Sequence, residues 1–382
     1  MIKAIHNVNI YPDDSHCIPS GCILFEDGRI VAVGSGDLLE KAEEKTDGQG
    51  MTLLPGFIDV HVHGGYGFDF LEDGQKGVEA FCRRTAASGC TAYLASFVSD
   101  YQQKLLEAMS EYRNDKQYYG AQCLGIHMEG PFLSPKRAAV MKPETLRLPS
   151  LAEFREMIEA SGNHIVQMTI APELPGAMEL IEYGSSQGIS MMLGHSEADV
   201  DVARQAIDRG AVGLTHMYNA MGQHEHRQPG LVTAGLLCDQ LICELITDGF
   251  HIHPDVLRTT YKIMKDRLAI ITDSSLMRGM EDGEYVFSGH NVRKQGIRAQ
   301  VIGTGTIAGS VVDLHESISV LRRLTGCSYN EIVRMASMNP AVIARCQQRK
   351  GKLCEGYDAD MVLLDDSFNV RATYVRGNKV YG

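Results

Sequence analysis

Along the middle of the chain, apolar and β-branched residues gather in short runs at 53–59, 91–97, 123–129, 165–170, 189–193, 212–217, 241–247 and 268–272. Unbroken apolar runs of this length between turn residues predict strands buried on both faces. The segments between them carry helical apolar spacing, as in 77–86 and 199–207, each followed by a glycine suited to a helix C-terminus. Eight strand and helix alternations predict an α/β fold, a (β/α)8 TIM-like barrel. From Gly279 to Gly305 the pattern loosens into turn residues and short β runs, an irregular insert expected after the eighth strand.

The two ends read differently. Residues 2–10, 21–26 and 29–33, with the turn Asp27-Gly28, alternate as strands, and so do 360–364, 372–375 and 379–381, with the turn Gly377-Asn378. Chain ends commonly lie close together, so these segments predict one small β-sandwich domain, 1–52 and 350–382, flanking a catalytic barrel domain, 53–349.

Composition narrows the function. The 382 residues carry 36 Lys and Arg against 48 Asp and Glu, a net charge of −12, with 44% apolar residues. That allows a large core and offers no basic run for nucleic acid or an anionic membrane. The N-terminus has no charged segment leading into an apolar stretch, and no window approaches a membrane span, so a cytoplasmic location is expected. Ten scattered cysteines without a Cys-x-x-Cys pair are read as reduced thiols.

In a barrel of this kind, reactive groups sit where strands end. His61 and His63 end the first run, Glu129 the third and His216 the sixth, His195 follows the fifth and His251 the seventh, and Asp273 ends the eighth. Spacing of two along a strand puts His61 and His63 on one face. Alone such a pair is more often packed than ligating, but Glu129, His195 and His216 complete a nitrogen and oxygen donor set that Zn2+ or Fe2+ accepts. Strand four ends in Thr169-Ile170-Ala171-Pro172-Glu173 without a lysine, leaving Glu129 as the candidate bridge between two ions. Asp273 could serve as the base for a water activated by the cation, or simply cap a helix.

Leu54-Pro55-Gly56-Phe57-Ile58-Asp59-Val60-His61-Val62-His63-Gly64, His127-Met128-Glu129-Gly130-Pro131, Gly194-His195-Ser196, Thr215-His216-Met217-Tyr218-Asn219-Ala220-Met221, His226-Arg227-Gln228-Pro229-Gly230, Asp248-Gly249-Phe250-His251, Thr272-Asp273 and Gly305-Thr306-Ile307-Ala308-Gly309-Ser310 together resemble the N-acetylglucosamine-6-phosphate deacetylase family of the amidohydrolase superfamily. The resemblance spans nearly the whole chain. It implies a homodimer that removes acetate from an N-acetylated amino-sugar 6-phosphate with one or two divalent ions per subunit. It makes Glu129, His195 and His216 ligands of the ion always present and Asp273 the acid/base, and His61 and His63 allow a second ion. It assigns sugar phosphate contacts to Asn219, Ala220, His251 and, in the neighbouring subunit's site, Arg227, with Ile307, Ala308 and Gly309 lining the pocket. Where the family usually has Lys-Gly-Ala-His, this chain reads Lys136-Arg137-Ala138-Ala139-Val140-Met141, which leaves Ala139 as the substrate contact and no imidazole at Val140. That departure motivates a second expectation, a different acetylated sugar such as N-acetylgalactosamine 6-phosphate or a non-phosphorylated one; a catalytically silent binding barrel is the third.

Overall fold

In the computed structural model, which describes residues 1–113 and 117–382, the eight runs form one parallel sheet in chain order. Its strands are β1 (Phe57–Val62), β2 (Cys90–Val98), β3 (Gln122–Glu129), β4 (Ile165–Ile170), β5 (Ser190–Leu193), β6 (Ala211–Leu214), β7 (Ile242–Ile246) and β8 (Leu268–Ile271). The sheet curls until its last strand meets its first. There Asp273 N–H donates to His61 O and His63 N–H to Ser274 O, each at 2.8 Å, and the buried Asp59 carboxylate accepts from Thr272 Oγ1 at 2.6 Å. Closure occurs where the strands finish, so it also gathers the polar strand ends into one ring.

Helices cover the outside because each presents one apolar face. Phe70–Thr85 buries Phe70, Val78, Phe81 and Cys82. A non-helical Gly74 (φ 53°) kinks it, so the predicted helical stretch from 77 falls in its second part, while Asp69 accepts from the backbone N–H of Leu71 and Glu72 and caps the first. Asp199, read as the first residue of a helix, instead caps Val200–Asp208 through the N–H of Asp201 and Val202.

Two expectations are corrected. The run 53–59 is not one strand: Thr52–Pro55 pairs antiparallel with Met361–Leu364 in the terminal sheet, and only Phe57–Val62 enters the barrel. The run is apolar on both sides of Gly56 because each sheet buries its part, so hydrophobicity alone cannot show the break. The insert after β8 is not irregular either. It forms an antiparallel three-stranded sheet of β9 (Gly283–Phe287), β10 (His290–Gln295) and β11 (Arg298–Val301).

The chain ends meet as expected in a small β-sandwich. Strands Lys3–Ile10, Ile18–Glu26, Arg29–Gly34, Glu44–Asp47, Thr52–Pro55, Met361–Leu364, Val370–Val375 and Asn378–Tyr381 form a second eight-stranded sheet. It closes over its own core of Ile5, Val8, Ile23, Phe25, Leu53, Met361 and Leu363. Asp27 and Gly28 have φ of 49° and 80°, the left-handed pair that lets a two-residue turn join twisted strands.

A buried ion cluster ties this sheet to the barrel. Lys350, only 2% exposed, reaches Asp358 at 2.9 Å, Asp360, and the Gln122 amide oxygen of β3. Replacing Lys350 with Met is expected to lower unfolding stability by about 3 kcal/mol, since it strands buried carboxylates that Arg29 and Arg349 only partly compensate. Denaturant titration checks this; a loss below about 1 kcal/mol would show the cluster to be dispensable. Among the described residues no disulfide forms, and no helix is long and apolar enough to cross a membrane.

Candidate metal and substrate site

At the rim, the predicted polar residues converge. Glu129 ends β3, and its Oε1 lies 3.0 Å from His195 Nε2 and 2.9 Å from His216 Nε2, which are 3.1 Å from each other. Beside this group, His61 Nε2 and His63 Nε2 stand 3.2 Å apart, with Asp273 Oδ1 at 3.5 and 3.2 Å respectively. Glu129 faces both groups, its Oε2 lying 3.3 Å from His63 Nε2. Each group of three offers donor atoms within 4.8 Å of one another, and so could hold a metal ion.

The donor chemistry fits a cation. His195 Nδ1 lies 2.7 Å from the Arg137 carbonyl and His61 Nδ1 lies 3.1 Å from Glu244 Oε2. Each of these acceptors requires the proton on Nδ1, which turns an Nε2 lone pair inward. Inward lone pairs facing one another at hydrogen-bond distance need positive charge between them. Burial disfavours charge on His61 and His63, yet Asp273 and Glu129 outweigh it and raise their pKa values to about 9 and about 10. Burial likewise pushes the Glu129 carboxyl up, but His61 and His195 hold it well below the usual carboxylate range. Asp273 is also lowered, burial being outweighed by His61 and His63. The site therefore draws protons when no ion is present, and a divalent ion binding there would displace them.

Backbone strain accompanies the ring. His195, His216 and Asp273 have φ of 48°, 29° and 49°, and Ala139 and Ala220 have 51° and 50°. For residues with a Cβ this conformation costs of order 1 kcal/mol each, and such outliers cluster where function over-determines the backbone. Asp273 caps no helix; the backbone of His61 and Ser310 pins it instead, the Ser310 N–H donating to its carbonyl at 2.8 Å.

Above the ring opens a pocket of about 230 Å³ lined by His63, Glu129, His195, His216 and Asp273 and by the predicted contacts Ala139, Asn219, Ala220, His251, Ile307 and Gly309. His61 lies beneath it, fully buried. Ala308 is also buried and does not line the pocket; its N–H donates to Ala299 O. Arg227 is exposed on a separate surface cleft with Arg137, Glu197 and Gln228 and does not line the pocket.

Sequence reasoning missed Glu244 and the apolar wall. Glu244, fully buried in the middle of β7, braces His61 and accepts from the His216 N–H at 3.3 Å; its signal was a single charge inside the apolar run 241–247. His127 bonds Ser96 and Thr169 beneath the ring rather than joining it, and burial together with nearby His61 lowers its pKa well below normal. Val98, Met141 and Phe287 make an apolar wall, the Phe287 ring 6.1 Å from that of His63. Phe287 comes from the insert and had no local signal. Replacing Glu244 with Gln preserves size but removes the carboxylate behind His61. The expected result is about 10–100-fold weaker metal affinity, read by chelator competition; unchanged affinity would show that Glu244 does not orient the imidazole.

Comparison with known proteins gives a consistent picture. Residues 52–380 match the amidohydrolase family. The chain is 33% identical to N-acetylglucosamine-6-phosphate deacetylase of Bacillus subtilis over 96% of its own length and 94% of that protein. With the Bos taurus enzyme of the same name it shares 34% identity, covering 89% of this chain and 86% of that one. Among solved structures it resembles the deacetylase from Pasteurella multocida, with a TM-score of 0.92, 30% identity and 99% of each chain covered. It is equally similar, at TM-score 0.92 and 30% identity, to a mutant Mycobacterium smegmatis enzyme in complex with N-acetyl-D-glucosamine-6-phosphate, with 100% of this chain and 99% of that one covered.

Proposed function

The chain belongs to the amidohydrolase family, among its N-acetylglucosamine-6-phosphate deacetylases, and on that premise we propose that it hydrolyses the acetamide of N-acetylglucosamine 6-phosphate to glucosamine 6-phosphate and acetate. The observation that carries this reading is the pair of adjacent donor groups, with Glu129 of one facing His63 of the other, on the floor of a pocket of sugar size. Glu129, His195 and His216 would hold one divalent ion, and His61 and His63 with Glu129 a second, Zn2+ and Fe2+ both suiting these donors. When bound, such an ion polarises the amide carbonyl and acidifies water.

The chain's own groups supply the rest. Asp273 Oδ1, 3.2 Å from His63 Nε2, takes the proton of the attacking water and returns it to the amide nitrogen as the C–N bond breaks. Water's oxygen ends on the acetyl carbon. Val98, Val140, Met141 and Phe287 exclude bulk water from the reacting face, while Asn219, Ala220, His251 and Ile307 bind and orient the sugar phosphate, with Ala139 and Gly309 beside them. Arg227, which lines a different cleft, reaches the site of a second copy in a homodimer. The division into a barrel and a terminal domain, expected as 53–349 against 1–52 and 350–382 and moved past Pro55 by its pairing with Met361–Leu364, and a cytoplasmic location belong to the same proposal.

The test is acetate release from a panel: N-acetylglucosamine with and without 6-phosphate, and N-acetylgalactosamine 6-phosphate. The expected kcat/KM is highest for N-acetylglucosamine 6-phosphate, by about tenfold or more, or roughly 1.4 kcal/mol. The apolar stretch Ala139-Val140-Met141 favours a second reading, a preference for another acetylated sugar. A larger value for one of the other two substrates would establish it, and no release by metal-loaded protein would leave a silent barrel.

A further inference from the structure

A phosphomonoester entering this pocket meets two carboxylates, Glu129 and Asp273, in a chain of net charge −12. Its binding needs fixed positive charge at the mouth. Most basic side chains near the mouth are already matched. Arg137 pairs with Glu197, Lys142 lies 3.8 Å from Asp100, and on the insert Arg293 and Lys294 pair with Glu284 and Asp282 at 2.7 and 3.1 Å. Arg298 differs. Among the described residues no carboxylate comes within 4.0 Å of it, and its guanidinium rests 5.3 Å over the Phe250 ring.

That ring is a fixed platform next to the pocket. Asp248 accepts from the N–H of Phe250 at 2.8 Å and of His251 at 2.9 Å, and its other oxygen bonds His251 Nδ1 at 2.7 Å. The Phe250 and His251 rings stand edge to face at 5.9 Å, and His251 lines the pocket. From the other side, β11 lies directly against the pocket wall: Ala308 N–H donates to Ala299 O at 3.0 Å and Val301 N–H to Thr306 O at 2.8 Å, and Thr306 and Ile307 face the cavity. Along β11 Ala299 and Val301 are buried, so alternation puts Arg298 on the opposite, open side. A guanidinium held by a ring face and free of carboxylates keeps all of its N–H donors for an incoming anion.

We infer that Arg298, stacked on Phe250 beside His251, is a specificity-determining residue that binds the phosphate of the substrate from within the same chain. The inference rests on the sugar phosphate reading above and deepens it. It places part of the anion recognition on the β9–β11 insert, so that phosphate selectivity does not depend on a second subunit alone. Lysine, a point charge without the planar fork, would replace it only in part.

The experiment compares wild type, Arg298→Ala, Arg298→Lys and, as a control on the same hairpin, Arg293→Ala. Steady-state kinetics would use N-acetylglucosamine 6-phosphate and N-acetylglucosamine, with inorganic phosphate binding measured by calorimetry. For Arg298→Ala the expected result is a KM about 10–100-fold higher for the phosphorylated sugar, kcat within about twofold, and kcat/KM unchanged for the unphosphorylated one. Phosphate binding should weaken in step, with partial recovery in Arg298→Lys and no effect in Arg293→Ala. Equal losses on both sugars would mean that Arg298 merely clamps the loop, and an unchanged KM would mean that it touches no phosphate; either overturns the inference. If wild type does not turn over the phosphorylated sugar, the functional reading falls by itself. Phosphate binding unaltered by Arg298→Ala would overturn the inference separately.

Discussion

Asp273→Asn is expected to keep the ion at Glu129, His195 and His216 and to lose about 10²–10⁴-fold in kcat, the usual contribution of a positioned acid/base. The substitution is nearly isosteric, and the contacts that place residue 273 are mostly backbone: its N–H to His61 O and its carbonyl to Ser310 N–H, each 2.8 Å. The strained φ of 49° is also one that asparagine tolerates. What disappears is an oxygen able to accept a proton near the reacting carbon and release it to the leaving nitrogen. Because Oδ1 also faces His61 and His63, metal content must be measured with turnover. A loaded variant within tenfold of wild type, about 1.4 kcal/mol, would show that the proton travels by another route.

His195→Ala should be more damaging still. Its Nε2 is one of three donors within 3.1 Å of each other, and the remaining two, Glu129 and His216, cannot satisfy a tetrahedral ion between them. Loss of that ion and of essentially all turnover is expected, exceeding the about 10–100-fold effect of disturbing an outer partner. Metal analysis of protein purified without added ions, with circular dichroism to verify folding, decides the matter. A folded variant retaining its full metal content would remove His195 from the ligand set. Selective loss of one ion of two would separate the Glu129 group from the His61 and His63 pair.

Local pattern carried the barrel and the seven rim residues at six strand ends, because a parallel strand covered on both faces must be apolar until the residue that leaves the sheet. His61, Glu129, His216 and Asp273 stand out for breaking that rule at the same end of separate runs. Glu244 breaks it in mid-strand and was passed over, since one charge amid Ile242, Cys243, Leu245 and Ile246 gives no hint of its partner. Its meaning depends on His61, which lies 183 residues away in sequence and 3.1 Å away in space. The division at Gly56 and the order within 283–301 were hidden for a related reason: two sheets that both bury a run leave the same apolar signature, and a half-exposed hairpin resembles a loop.

The order of strands and helices, the closing of the terminal sheet from both ends and the donor types at the rim were thus determined by residue spacing, through the periodicity of backbone geometry and the aversion of apolar side chains to water. Tertiary packing alone decided which donors face Glu129, which imidazoles receive a bracing acceptor, that Phe287 of the insert stands at the pocket and that Arg298 lies over the Phe250 ring. Those relations join residues remote in the chain, and only packing, which is set by the whole molecule at once, brings such residues within reach of one another.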